Sequence, residues 1–391
     1  MTPSESGPRR PSLSVVRELT DRHVVDQLLA APELTRAELA ARTAISKPTI
    51  SESVRRLTAA GVLTEAGQQV GRRGPAGTFY RLRADVGVAV AGSAGPDGVL
   101  VELLDLHGSC LSRSHRSVAV PATRSALEPL LVEATTEALA GTPGPVLAAT
   151  LSVAGPVDRA TGRLVRLPDS PFLVDALDPA PLLAPLLGLA PMVDNDVDWA
   201  ALAERSLGST QGLDDFAYVF LGPGLGGAVV NGGAVLHGGR GLAGEIAHVR
   251  TIGPGGQSRR LVEVFADLGL RRPGSAALDV DRLRIALNGA TPADRATRQV
   301  IITALAGVIA SIGAVLNPQA VVIGGPWADH PALAEQLPRA VAELAVVPAE
   351  IRFAELGADA PHLGARQSAV AAAREALSQR LLPPPADQVI E

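Results

Sequence analysis

Ten of the chain's 40 glycines fall within the 34 residues from 215 to 248, DFAYVFLGPGLGGAVVNGGAVLHGGRGLAGEIAH. No other stretch limits the fold as tightly. Residues 216–221 are aromatic and β-branched, which predicts a buried strand. The chain then turns through Gly222, Pro223, Gly224, Leu225, Gly226 and Gly227 into a second apolar strand at 228–230. Asn231, Gly232 and Gly233 make the next turn, and further glycines lead to Glu245 and His248. Without a Cβ, backbone N–H groups can close on a bound ligand. A hairpin that holds a polar ligand accounts for the glycines and for the Glu/His pair behind them. The plain alternative is a glycine-rich hairpin with no ligand.

Two upstream stretches favour the ligand. Residues 192–204 read MVDNDVDWAALAE, and residues 151–158 read LSVAGPVD. In order and spacing, the three stretches and the Glu245/His248 run resemble the ROK family, the bacterial sugar kinases and sugar-responsive repressors. The resemblance covers residues 84–375. It implies an α/β fold in which a two-lobed, ribonuclease-H-like domain of the sugar kinase type holds a sugar between its lobes. Periodicity by itself gives only α/β.

Ahead of that region lies a different module. Residues 1–16 are rich in Pro, Ser and Arg without a period and read as a mobile arm. A helix is expected at 17–30, with Val24, Val25, Leu28 and Leu29 on one face. Thr35 and Glu38 form a capping box that starts a second helix. Ser46 caps a third, over 47–60, which Gly61 ends. Strands at 62–65 and 78–82 flank a basic tip holding Arg72 and Arg73. This succession is a winged helix-turn-helix. Its DNA-facing residues are expected to be Thr35, Ser46, Lys47, Thr49, Ser51 and Glu52, with Arg55 and Arg56 on phosphates and Arg72 and Arg73 in the minor groove. The alternative is a small helical module for protein contact. The tip, Gly71 to Ala76 in sequence GRRGPA, also resembles the wing of ROK repressors. Domain boundaries follow: the winged module at 17–83, the sugar-kinase-like domain at 84–382, a loose tail at 383–391.

Charge separates the same two parts. Residues 1–83 carry 13 Lys+Arg against 8 Asp+Glu, and the remainder 22 against 32. A basic front on an acidic body suits a DNA partner at the front. A single cysteine, Cys110, excludes a disulfide framework and a cysteine metal cluster. No apolar run of membrane-span length and no signal core are read, so the cytoplasm is expected.

The resemblance also implies which residues meet the sugar: Gly155, Asp169, Asn195, Asp196, Glu245, His248 and Glu263. Asp196 aligns with the base that deprotonates the sugar hydroxyl in the kinases. The chain departs from the kinase pattern at both phosphate loops. Val88, Ala89 and Val90 replace the Gly-Thr part of the first, and Pro223 replaces Thr in the second, removing a hydroxyl and an N–H. Phosphoryl transfer depends on such groups, so no catalysis and no cofactor are expected. Phe172 stands for a Trp of the sugar-capping loop, Asp169 for Asn, and Asp198 for the second Asn of the Asn-Asp motif. The family's zinc run lacks its cysteines, since residues 255–261 read GGQSRRL; no metal is expected. The expected protein is a repressor of carbohydrate genes, a homodimer or tetramer on an inverted-repeat, A·T-containing operator, answering to a sugar or sugar derivative. The alternatives are an active sugar kinase with a fused DNA-binding domain, and a regulator that works by protein contact alone.

Overall fold

Short hydroxyls set the start of the first elements. A computed structural model describes residues 13–68, 77–167, 170–173 and 175–381. The expected wing tip with Arg72 and Arg73, Asp169, and the tail at 383–391 lie outside the described residues. Helix α1 spans Leu13–Ala30, so it begins inside the stretch expected to be an arm. Strand β1, Leu34–Thr35, leads into α2, Arg36–Thr43, through the expected capping box, with Glu38 Oε2 2.8 Å from the Thr35 amide. Helix α3, Lys47–Ala59, starts at Ser46, whose hydroxyl accepts the Thr49 N–H. Strands β2, Leu63–Gln68, and β3, Thr78–Leu82, close the unit in the order β1-β3-β2. Leu28, Leu39, Ile50 and Val54 fill its centre.

The next elements alternate as the apolar runs require. Strands β4 (Val88–Gly95), β5 (Gly98–Leu104) and β6 (Cys110–Arg116) precede α4 (Arg124–Leu139). Strand β7 (Val146–Val153), the short β8 (Val157–Asp158) and β9 (Arg163–Leu164), α5 (Pro179–Leu187), β10 (Met192–Asn195) and α6 (Asp196–Leu207) follow. Then come β11 (Phe216–Leu221), β12 (Leu225–Asn231) and β13 (Ala234–Val235). A hairpin of β14 (Arg250–Ile252) and β15 (Ser258–Arg260) leads to α7 (Leu261–Asp267) and α8 (Val280–Asn288). The described residues end with α9 (Pro292–Leu316), β16 (Ala320–Gly324), α10 (Pro331–Leu344), β17 (Glu350–Phe353) and α11 (Ala360–Arg380).

Two five-stranded sheets result, β6-β5-β4-β7-β10 and β13-β12-β11-β16-β17. Each has an antiparallel meander of three strands and a parallel pair added beside the first of them. The same order twice makes two lobes of one ribonuclease-H-like design. Helix α9 is long and apolar enough to cross a membrane by length and composition, contrary to the sequence expectation. Its inward face, Ile301, Leu305 and Ile309, forms the core of the second lobe with Val321 and Ile323, which accounts for its hydropathy.

Two helices exchange between the lobes. Helix α6 leaves the first sheet and packs Val197, Ala200 and Ala201 on Phe216, Tyr218 and Val322 of the second. Helix α11 returns from the second lobe and lays Ala369, Val370, Ala373 and Leu377 on Ala89, Ala91 and Leu104 of the first. That last cluster continues without a break into Val24, Val25 and Leu28 of α1. The winged unit and the first lobe therefore share one apolar core. Ser378 Oγ donates to Asp26 at 3.1 Å, and Arg22 reaches Glu375 at 3.6 Å, on the edge of it.

Candidate functional site

Two surfaces carry chemistry. On the winged unit, Ser46, Lys47 and Thr49 are exposed at the start of α3, and Ser51 is half-buried. Glu52 and Arg55 form a fork of 3.0 and 2.6 Å in the open, which holds the Glu52 carboxyl below its ordinary range. Two expected contact residues are occupied elsewhere. Thr35 is buried and spends its hydroxyl within the capping box, donating to Glu38 and accepting its N–H. Arg56, expected on phosphate, is held by Asp21 through bonds of 3.2 and 2.7 Å; it ties α3 to α1. A guanidinium with a nearby carboxylate at the right distance satisfies its charge inside the protein first.

The second surface is the cleft between the lobes. Asn195 ends β10, and its side-chain Oδ1 caps α6 by accepting the Val197 N–H at 2.7 Å. Asp196 opens the helix, half-buried, with Oδ1 2.9 Å from the same N–H. Desolvation there pushes its carboxyl up to about 7. From the other lobe, a 3₁₀ turn at Ile246–His248 brings Glu245 and His248 beside β12. Val197 and Ile246 meet at opposite neighbours, Gly226 and Gly227. The Asn195/Asp196 and Glu245/His248 segments thus flank one glycine pair. Gly155, at φ +151°, turns the chain toward Val157. Glu263 differs: its carboxylate accepts the Arg260 amide at 2.9 Å and pairs with the same guanidinium at 2.8 Å. It caps α7, and that is sufficient reason for its place.

Two of the glycines stand at close contacts within the protein. A Cβ on Gly226 would stand 3.0 Å from Val197, and one on Gly241 would overlap the Val157 carbonyl. The first contact is with the crossing helix α6, and the second runs from the second lobe to β8 of the first. Gly241 also has φ +69°. These residues let neighbouring segments of the chain pack closely. Phe172, which stands for a Trp of the sugar-capping loop, is buried among Leu127, Leu173 and Leu183 of the first lobe.

Between Gly222 and Gly224 the backbone is engaged by the protein. Gly222 N–H donates to Gly224 O, Trp327 Nε1 donates to Gly222 O at 3.1 Å, and Leu278 N–H donates to Pro223 O. Trp327 is fully buried beneath this loop, edge-on to Phe265 with ring centroids 5.9 Å apart.

Sequence reading missed a cluster beside Asp196. Asp194 accepts from Arg159 Nη1 at 2.7 Å and lies 2.8 Å from His237 Nε2, and Asp198 is 3.8 Å from the same nitrogen. Burial, followed by the charges of Asp194 and Asp196, raises the Asp198 carboxyl well above its usual range. The donor atoms of Asp194, Asp198 and His237 lie within 4.8 Å of one another, the one such group among the described residues. Where the family's cysteine run is expected, the backbone instead closes the β14–β15 hairpin, with Gly253 N–H donating to Gln257 O. The signal that could have found the cluster was the run of three acids at alternate positions, 194, 196 and 198.

A cavity of about 650 Å³ lies elsewhere, at the junction of the winged unit and the first lobe, lined by Glu33, Arg81, Arg83, Asp85, Asp105 and His107 among others. It is remote from the cleft residues, and its charges are mostly paired, Arg83 with Asp85 at 2.6 Å.

Comparison with known proteins gives two matches to family models. Residues 90–372 match the ROK family, and residues 17–64 match a winged helix-turn-helix DNA-binding family. A bifunctional enzyme NanE/NanK of Brucella suis biovar 1 is 30% identical over 182 residues, which are 46% of this chain and 34% of that protein. A xylose repressor of Caldicellulosiruptor bescii is 20% identical over 238 residues, 60% of this chain and 59% of that one. The chain thus spans about a third of the first and about three fifths of the second. Among solved structures, a ROK family transcriptional regulator, a homolog of the E. coli MLC protein, superposes with TM-score 0.66 at 20% identity, over 94% of this chain and 98% of that one.

Proposed function

We propose that this protein, which belongs to the ROK family, is a DNA-binding transcription regulator controlled by a sugar or sugar derivative held between its two lobes. One observation carries the reading. A winged helix-turn-helix shares a continuous apolar core with α11, the helix that crosses back from the lobes of a sugar-kinase-like fold. Closure of the cleft moves α6 and α11 against each other, and α11 carries α1. A ligand can shift such an equilibrium only by its differential affinity for the two states, and the effect of sugar on DNA must equal that of DNA on sugar. The repressor sign, the two-fold operator and the homodimer or tetramer belong to this proposal.

In this reading Asn195, Asp196, Glu245 and His248 meet the sugar hydroxyls, with Gly155 and Asp169 from the first lobe. A hydroxyl both donates and accepts, so an ionised carboxylate beside an amide suits it. Glu263 has the weakest claim, because Arg260 occupies its carboxylate. Thermal shift over glucose, xylose, N-acetylglucosamine and their terminal phosphates tests the site. At 100 times its dissociation constant a binder adds about 2.7 kcal/mol to stability. The expected result is a shift from one of these that disappears in Asp196→Ala and is indifferent to ATP and magnesium. A panel without any binder would count against a sugar effector.

One observation favours the kinase alternative: Asp196 titrates near neutrality, where a general base is effective. Against it stand Pro223, which has no N–H, and Gly222, whose N–H already donates to the Gly224 carbonyl, so the second phosphate loop lacks an inward amide at both residues. ATP-dependent stabilisation or turnover of any sugar in the panel would reverse this choice.

On the DNA side, Arg72 and Arg73 are proposed to enter the minor groove and Lys47, Thr49 and Ser51 the major groove. A duplex selected from a random pool by the full-length protein provides the probe. Replacing both arginines by Ala should weaken binding about 10- to 100-fold and lower the salt dependence by about one to two charges. Unchanged affinity and salt slope in the double variant would remove the wing from the interface.

A further inference from the structure

We propose that His237 is the positioning residue that latches the two lobes together, by closing on the Asp194/Asp198 pair across the cleft. The inference rests on the regulator reading only in assigning the cleft to an effector; the latch itself is a matter of contacts. His237 follows β13 of the second lobe. Asp194 is in β10 and Asp198 in the first turn of α6, both at the end of the first lobe's sheet. The imidazole reaches them at 2.8 and 3.8 Å and is itself mostly covered, with 20% of its side chain exposed. Arg159, from the turn after β8, meets the same Asp194 oxygen at 2.7 Å. Three chain segments thus converge on one carboxylate.

The position of that carboxylate gives the latch its consequence. Asp194 Oδ1 accepts the Asn195 N–H at 3.0 Å, immediately before the two residues assigned to the sugar. The loop that carries His237 continues through Gly241, whose backbone rests on the Val157 carbonyl, to Glu245. Releasing His237 therefore frees both walls of the cleft together. No kinase step and no metal enters this role.

The groups that face the imidazole are Asp194 and Asp198, with Arg159 beyond Asp194 and Asp196 on the next turn of chain. At low and neutral pH, Asp198 keeps its proton, because burial and the two neighbouring carboxylates disfavour a further charge. A carboxyl raised in the folded state stabilises fully below its ordinary range and loses that contribution as pH rises through the folded value. The latch is thus tight on the acidic side and loosens on the alkaline side. Asn at 198 keeps the shape without the titration.

Hydrogen exchange of the full-length protein without added sugar reads this directly. After correction for intrinsic rates, amides of residues 225–231 and 237–248 should exchange at least about 10-fold faster in His237→Ala than in the native chain, while α9 stays protected. His237→Gln, which retains a donor, should recover most of the protection. In the native chain protection of these segments should fall between pH 6 and pH 9, and Asp198→Asn should flatten that profile. Native-like protection in His237→Ala, or an unchanged profile in Asp198→Asn, would overturn the latch. Neither result depends on a sugar, so a failed latch leaves the effector reading standing, and a failed sugar panel leaves the latch standing.

Discussion

Replacing Glu204 by Ala should lower the stability of the folded chain by about 3–5 kcal/mol, the range seen when a buried charged network loses a member. Glu204 is fully buried near the end of α6. Its Oε2 accepts the Ser209 N–H at 2.8 Å and the Ser209 hydroxyl at 2.9 Å; its Oε1 accepts the Glu355 and Leu356 N–H groups, each at 2.9 Å. Four donors therefore converge on one carboxylate, and each donor stranded by its removal costs about 1–3 kcal/mol. Gln keeps the volume but turns an NH₂ toward two of those donors, so Glu204→Gln should recover only part of the loss. Urea unfolding followed by far-ultraviolet circular dichroism measures both. An unfolding free energy for Glu204→Ala within about 0.5 kcal/mol of the native chain's would mean that the surrounding amides find water instead. The family pattern ends its Asn-Asp motif in this Glu, and the structure supplies a reason: it fastens the end of α6 to the segment that leads into α11.

The second large effect is expected at Gly364. Helix α11 crosses α6 there, and a Cβ on Gly364 would overlap the Trp199 carbonyl. The carbonyl belongs to helix backbone and cannot turn aside as a side chain would. Gly364→Ala should cost about 3 kcal/mol, the upper end of overpacking. The displacement should also travel. Thr150 Oγ1 donates to Ala365 O at 2.7 Å, Arg374 Nε to Leu106 O at 2.7 Å, and Ser378 to Asp26 of the winged unit. Weaker binding to a selected duplex at a temperature where the variant is fully folded is the expected companion of the stability loss. A variant with native stability and native DNA affinity would show that the crossing tolerates a methyl group, and the strut role of α11 would fall with it.

Much of the fold was legible because its signals are local. Thr35 with Glu38, and Ser46 ahead of α3, fix helix starts through one or two hydrogen bonds each, and such pairs can be read directly. The order of glycine and acidic motifs marked the two-lobed domain. What local patterns do not carry is the partner. Arg56 looked like a phosphate anchor because Asp21, 35 positions away, is invisible to spacing. Glu263, expected at the sugar, also caps α7 through Arg260. The glycines of β12 and of the loop before Glu245 announced close approach, but not that Val197 of α6 and Val157 of the first lobe would be among the surfaces approached. The His237 latch follows the same rule: each member sits in a stretch that was singled out, yet their meeting depends on two lobes closing.

The apolar core common to α1, α11 and the first sheet has a consequence for protein engineering. In many regulators the DNA-reading part can be cut away or exchanged as a cassette. Here the cassette would leave with α1 parted from Ala369, Val370, Ala373 and Leu377 of α11, which belong to the same apolar cluster. Each large apolar side chain so uncovered forfeits up to about 1.5–3 kcal/mol, and the fragment would present a sticky face to its neighbours. A chimera that keeps this sensor but reads another sequence is better made by changing residues 46–55 in place than by splicing at the end of the wing.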